Sequence, residues 1–351
     1  MLEGRSYVPL LHARLAEMRA LRELPTATKN LIFPVIRIRP WLNSRALNNV
    51  FEVIEAGVGN RMFGLDLDPS RNLPEKAAPA YQEFRRLFLP DGAFSAYYDC
   101  VAQAPNRVPV LRTEQGALQL QGQLDRVEFL DRGLVVRVMV EAPANFRDIA
   151  GACLERGIEN VVFVFDCGWR PDVLVQAARC TALVDSLMDI SEDFEVVVAG
   201  SSFPEAFSGL GARFLIDVGE RFLFQQVRRN INRGILFYGD WGSTRRPTDP
   251  VPMTNVPRID MAHRFDWTCW RSEDGEDYAG VAARVVGDPD WDGNLGVWGE
   301  YMIESTAEGL DPAIRSPAMA AAVRVNLHMN VQANFDNPEV EIVDEPVGED
   351  L

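Results

Sequence analysis

Val161-Val162-Phe163-Val164-Phe165-Asp166 is a run of five apolar residues that stops on an acid. A short, β-branched run of this kind reads as a strand buried on both faces, as in a parallel sheet. The same grammar recurs on either side. Upstream lie Tyr7–His12, Leu31–Arg39, Met62–Asp68, Arg107–Glu114 and Leu134–Glu141, and downstream Val196–Ser202 and Ile235–Asp240. Between these runs the apolar residues switch to helical spacing. Leu47, Val50, Phe51 and Ile54 form one stripe, Leu15, Met18, Leu21 and Leu24 another, and Phe222, Leu223, Val227 and Ile231 a third. Strands alternating with such helices predict parallel pairing. Eight repeats predict a TIM-like (β/α)8 barrel, with an open α/β sheet as the alternative. A barrel typically takes ~250 residues, so the expected division is a barrel over 1–243, an extension packed on it over 244–335, and an acidic, disordered tail over 336–351. The extension breaks the β/α rhythm with the stretches EDGEDYAG and GDPDWDGNLGVWGE, a strand-like Phe265–Trp270 and an apolar helix near Pro317–Met329.

Composition narrows the function classes. The 351 residues carry a net charge of −16, which opposes attraction to nucleic acid, because phosphate binding needs clustered Lys and Arg. No apolar stretch approaches the ~20 residues that span a bilayer, and the N-terminus lacks the pattern of a secretory leader; a cytoplasmic protein is expected. Five dispersed cysteines without a C-x-x-C pair read as reduced thiols.

In such barrels, binding and chemistry sit at the C-terminal ends of the strands. Residues two apart share a face of a strand, which groups Arg37 with Arg39, Asp66 with Asp68, Arg112 with Glu114, Arg137 with Glu141, and Tyr238 with Asp240. The candidate rim residues are therefore Arg37, Asp66, Asp68, Arg112, Glu114, Glu141, Asp166, Ser202, Tyr238 and Asp240. Two readings use the same set. In one, Arg37 and Arg112 hold a phosphorylated or carboxylated ligand while Asp66, Asp166 and Asp240 act as acid/base groups or as Mg²⁺ ligands. In the other, Arg37 pairs with Asp66 and Arg112 with Asp166, and the charges plug the mouth. No nucleophile elbow, P-loop, dinucleotide fingerprint or H-E-x-x-H motif is present. Of His12, His263 and His328, His12 is best placed, directly after the first strand. No cofactor is expected beyond the Mg²⁺ alternative.

Several short motifs carry a family resemblance. Tyr7-Val8-Pro9-Leu10-Leu11, Ala20-Leu21-Arg22-Glu23-Leu24, Ile32-Phe33-Pro34-Val35-Ile36, Ser201-Ser202-Phe203-Pro204, Phe237-Tyr238-Gly239-Asp240-Trp241-Gly242, Gly299-Glu300-Tyr301-Met302-Ile303 and Asn326-Leu327-His328 occur in this order. The chain thereby resembles the "beta protein" family of tailed phages and bacteria. It departs from the family pattern at Trp241, where Tyr is expected, at Ser272, where Gly is expected, and at Leu327, where the first of two histidines is expected. The resemblance implies a barrel and a phage or phage–host-conflict setting, without a reaction. The expected function is thus a non-catalytic barrel that binds a protein or assembly partner, with Trp241, Trp267, Trp270, Trp291 and Trp298 as anchors if exposed. The alternative is an enzyme or binder acting on an anionic ligand at the rim.

Overall fold

The computed structural model describes residues 1–41, 44–68, 79–113, 117–143, 145–169, 172–207, 209–244 and 256–337. Glu114 and all but the first two residues of the acidic tail lie outside them. The chain forms two compact units. The first comprises residues 1–14, 33–201 and 220–241, and the second residues 15–32, 202–219 and 242–351. The second unit therefore draws on two stretches, 15–32 and 202–219, that interrupt the barrel repeats, where the sequence suggested a single boundary after residue 243.

The first unit is an eight-stranded, all-parallel sheet ringed by helices. Its strands are β1 (Tyr7–His12), β2 (Val35–Ile38), β3 (Phe63–Leu67), β4 (Arg107–Pro109), β5 (Leu134–Met139), β6 (Val161–Trp169), β7 (Glu195–Ser201) and β9 (Ile235–Asp240). The intervening strand β8 (Arg213–Asp217) lies between β7 and β9 in sequence but belongs to the sheet of the second unit. The sheet order is β4-β3-β2-β1-β9-β7-β6-β5. The two ends meet through a parallel bridge, Val110 to Val135, and the Leu111 N–H donates to the Val135 carbonyl at 2.8 Å. The sheet is thus nearly closed into a TIM-like barrel, as the repeats predict.

Alternation then sorts every strand into inner and outer faces. Val8, Leu10, Val35, Val108, Val110, Val135, Val162, Val164, Val197 and Ala199 form a single buried cluster drawn from around the barrel, so these positions face the axis. Their neighbours Phe163 and Phe165 face the helices, packing edge-on against Phe194 and Phe146. Glycine makes room on the inside: a Cβ on Gly239 would lie 2.7 Å from Val197 Cγ1 and 2.8 Å from the Val8 carbonyl oxygen. The interior is therefore packed by side chains, as in small barrels generally.

Several strands are shorter or longer than their apolar runs. Pro34 has no N–H to give a ladder, and β2 begins only at Val35. β4 stops at Pro109 because the Tyr97 hydroxyl enters the ladder, donating to the Leu65 carbonyl at 2.6 Å and accepting the Val110 N–H at 2.7 Å. β6 runs on past Asp166 through an irregularity at Gly168, whose φ is 63°. Such a bulge re-aims the next side chain, and Trp169 arrives 4.5 Å from Trp241, centroid to centroid.

The second unit contains an antiparallel sheet in the order β10 (Arg258–Ala262), β11 (Asp266–Arg271), β8. Helices Tyr278–Val286, Trp298–Ala307 and Pro317–Ala333 contribute to its core around Trp267, Met302 and Leu327. Its helix Leu15–Arg22 buries Met18 and Leu21 but leaves Leu15 exposed, because Leu15 begins the first turn. Trp241, Trp267 and Trp270 are buried, which removes them as surface anchors, and Trp291 and Trp298 are partly buried. All five cysteines are buried and unbridged. No helix among the described residues is long and apolar enough to cross a membrane.

Candidate functional site

Above the apolar layers, the inward positions turn charged. They are His12 on β1, Arg37 on β2, Asp66 on β3, Arg112 beyond β4, Arg137 on β5 and Asp166 on β6, with Trp241 following β9. The register aligns His12 with Arg37 and Arg37 with Asp66 on adjacent strands. Asp66 is the hub. Its carboxylate lies 3.3 Å from Arg37 Nε, 3.4 Å from Arg112 Nη1 and 3.1 Å from Arg137 Nε, and accepts the Leu67 N–H at 2.7 Å. Arg37 also reaches Asp68 at 3.8 Å, and Arg137 reaches Asp166 at 3.1 Å. The remaining Asp166 oxygen accepts from Trp241 Nε1 at 3.0 Å and from the Gly168 N–H at 2.8 Å. Three guanidiniums thus meet three carboxylates.

Burial by itself would raise the Asp66 pKa, but Arg137, Arg37 and Arg112 outweigh it and hold the carboxyl below its ordinary value. His12 shifts well below its usual range, first because it is buried and then because Arg14, Arg37, Arg137 and Arg39 all oppose its protonation. The imidazole is therefore neutral at neutral pH. It stacks on Trp241 at 5.2 Å, and the Arg37 guanidinium lies over the same indole at 5.5 Å.

The structure brings Arg37, Asp66, Asp68, Arg112 and Asp166 together and leaves the other rim candidates elsewhere. Tyr238 and Asp240 face outward. Asp240 accepts hydrogen bonds from the Tyr7 hydroxyl and, at 2.7 Å, from the Tyr238 hydroxyl. Phe224 of the helix Gly219–Asn230 packs edge-on against Tyr238, and Arg221 of the same helix covers its ring. The expectation that Asp240 joins the mouth fails because β9 points its odd residues, Phe237 to Trp241, inward. β7 repeats this one-residue offset. Val197 and Ala199 are inward, so Ser201 has the inward parity, while Ser202 belongs to the second unit and its hydroxyl donates to the Asp217 carbonyl and accepts the Gly219 N–H. Glu141 lies beyond the end of β5, exposed, 4.0 Å from Arg179. Arg112 meets Asp66, and Arg137 takes Asp166, where the sequence reading paired Arg112 with Asp166. Arg137, His12 and Trp241 are the residues the rim set omitted. Each has inward parity on its strand, which is the signal that finds them.

A sequence pattern described as Beta protein matches residues 7–334. The chain belongs to the Beta protein family. Among its relatives is Protein beta of Enterobacteria phage P4, 25% identical over 361 aligned residues that cover 97% of this chain and 99% of the phage protein. The charged mouth lies inside the matched span. So does Trp241, where this chain departs from the tyrosine its family resemblance implies. The indole N–H donates to Asp166, while the ring lies against His12, Arg37 and Trp169.

Proposed function

We propose that this member of the Beta protein family is a non-catalytic barrel that serves as an accessory, protein-binding component in a phage or phage–host-conflict setting, acting in the cytoplasm. The observation that carries this reading is the mutual pairing of the mouth charges. Arg37, Arg112 and Arg137 are each within ion-pair distance of an aspartate. General acid–base catalysis favours a group whose pKa lies near the working pH. The pKa values of Asp66 and His12 are both shifted downward, further from neutrality. Mg²⁺ is a poor occupant, since at Asp66 it would have to displace three guanidiniums. A buried lattice of this kind is worth more as a determinant of one structure than as net stability, which suits a scaffold. The net charge of −16 suits a partner with a basic surface, because complementary charge speeds encounter.

A second reading is favoured by one observation: four arginines, Arg14, Arg37, Arg137 and Arg39, act on His12. Their combined field suits an anionic ligand, phosphate or carboxylate, that draws a guanidinium away from its aspartate. Native mass spectrometry of the full chain purified from phage-carrying cells separates the two. The partner-binding reading expects the mass of the chain, alone or with a second protein whose retention falls as salt rises. A small anionic adduct that disappears in Arg112→Ala, while the fold persists, would replace it with the ligand reading.

A further inference from the structure

The two edges of the second unit's antiparallel sheet differ. Its order is β10-β11-β8; four of the five residues of β10 are buried, whereas every residue of β8 is exposed or half-buried. β8 reads Arg213-Phe214-Leu215-Ile216-Asp217. Phe214 and Ile216 lie against the core of the second unit, which turns Arg213, Leu215 and Asp217 to the opposite face. Leu215, between the two charges, is 61% exposed.

Alternation of the backbone sets which polar groups lie along the outer edge. In an antiparallel ladder, residues that exchange hydrogen bonds with the neighbouring strand alternate with residues whose N–H and C=O point away from it. The Arg271 N–H donates to the Ala212 carbonyl and the Val218 N–H to the Phe265 carbonyl, each at 2.7 Å. In the same register, the even-numbered residues of β8 are turned to β11. The N–H and C=O groups of Arg213, Leu215 and Asp217 therefore point outward, and no strand covers them among the described residues. The Asp217 carbonyl accepts the Ser202 hydroxyl at 3.1 Å. Both Leu215 groups, the Arg213 carbonyl and the Asp217 N–H remain open to a further strand. Such a row is a template for pairing unless lysine, proline or a bulge blunts it, and β8 contains neither residue and keeps a regular register.

The edge is its own complement. When a second β8 is laid antiparallel with Leu215 opposite Leu215 of the partner subunit, Arg213 stands opposite Asp217 of the partner subunit, and the reverse. Opposite charges directly across a sheet stabilise a pair and like charges destabilise it. A shift by two residues would set Leu215 against a charge and lose both ion pairs. The charge pattern within one chain favours the same register. Asp217 stands directly opposite Asp266 on β11, an unfavourable pair that an arginine on the outer side of Asp217 relieves. Arg213 holds Asp288 and Asp290 through Nε and Nη2, and its Nη1 carries no hydrogen bond among the described residues.

We propose that the chain associates with a second copy of itself through β8, the two strands running antiparallel about a two-fold axis at Leu215. Two Leu215–Leu215 backbone bonds and two from the Asp217 N–H to the Arg213 carbonyl would join the sheets, none of them using the Asp217 carbonyl. Such an interface is isologous and closes at two copies. A five-residue edge buries less than the roughly 1,200 Å² at which stable interfaces begin, so the dimer is reversible and concentration-dependent.

Sedimentation equilibrium of the full chain over a wide concentration range tests this. A reversible monomer–dimer equilibrium is expected. Leu215→Lys and Leu215→Asp, at an exposed position, each set like charges on the axis and should weaken association by at least about tenfold with unchanged far-UV circular dichroism. Mixing the two variants sets lysine against aspartate and should restore pairing. Leu215→Pro removes an outward N–H that β11 does not use, a place where an edge strand tolerates proline, and should also leave a folded monomer. Wild-type protein that stays monomeric throughout, association undiminished in the folded Leu215 variants, or a mixture of the lysine and aspartate variants that associates no better than either alone overturns the proposal. So does pairing of this edge with a strand of another protein in place of a second copy.

Discussion

Asp66→Asn is the sharpest perturbation of the barrel mouth, because it removes one negative charge while keeping the shape of the side chain. Asp66 is 2% exposed and faces Arg37, Arg112 and Arg137. Breaking a buried ion pair by neutralising one partner costs about 3–5 kcal/mol. The lower end applies here, since Arg37 keeps Asp68 and Arg137 keeps Asp166. About 3 kcal/mol corresponds to roughly a hundredfold change in an equilibrium constant. The sign of the pH dependence follows from the Asp66 pKa, which is lower in the folded chain than its ordinary value. Its stabilisation is present above the unfolded pKa and is lost as pH falls through the folded one. The gap between wild type and Asp66→Asn should therefore be constant between about pH 5 and 8 and narrow below about pH 4. Urea midpoints followed by tryptophan fluorescence measure it, because Trp241 contacts both Asp166 and His12. A variant within about 0.5 kcal/mol of wild type at pH 7, the range of an ordinary surface substitution, would refute the hub assignment, as would a gap that does not narrow in acid.

Four further outcomes follow from the same geometry. Gly239→Ala places a methyl group against Val197 Cγ1 and the Val8 carbonyl and should cost about 1–3 kcal/mol by overpacking. Gly151→Ala, in the helix Phe146–Glu155 with nothing within 4 Å of its Cβ position, should be neutral or stabilising, and calorimetric Tm values compare the two. His12 should remain neutral in NMR titrations through the pH range in which an ordinary histidine takes up its proton; because its folded pKa is depressed, its contribution to stability declines as pH falls below the unfolded value. Tyr238→Phe removes a hydrogen bond to buried Asp240 and should lower stability by about 1–3 kcal/mol, measured by urea unfolding, without disturbing the NMR signal of the His12 imidazole on the inner face.

The barrel was legible because eight apolar strand runs and their intervening helical stripes repeat one pattern, and each run overlaps a strand of the barrel. Much of the mouth was legible too. Arg37, Asp66, Arg112 and Asp166 lie on the inward parity, and alternation relates residues on one strand without any coordinates. What alternation lacks is an absolute sign. Strands buried on both faces are apolar on both faces, so nothing in Ile235–Asp240 distinguishes Tyr238 and Asp240, which face the helices, from Phe237 and Trp241, which face the axis. Pairing between strands was less legible still. Arg137 on β5 reaches Asp66 on β3 across the short β4, and that contact depends on closure and on where β4 ends.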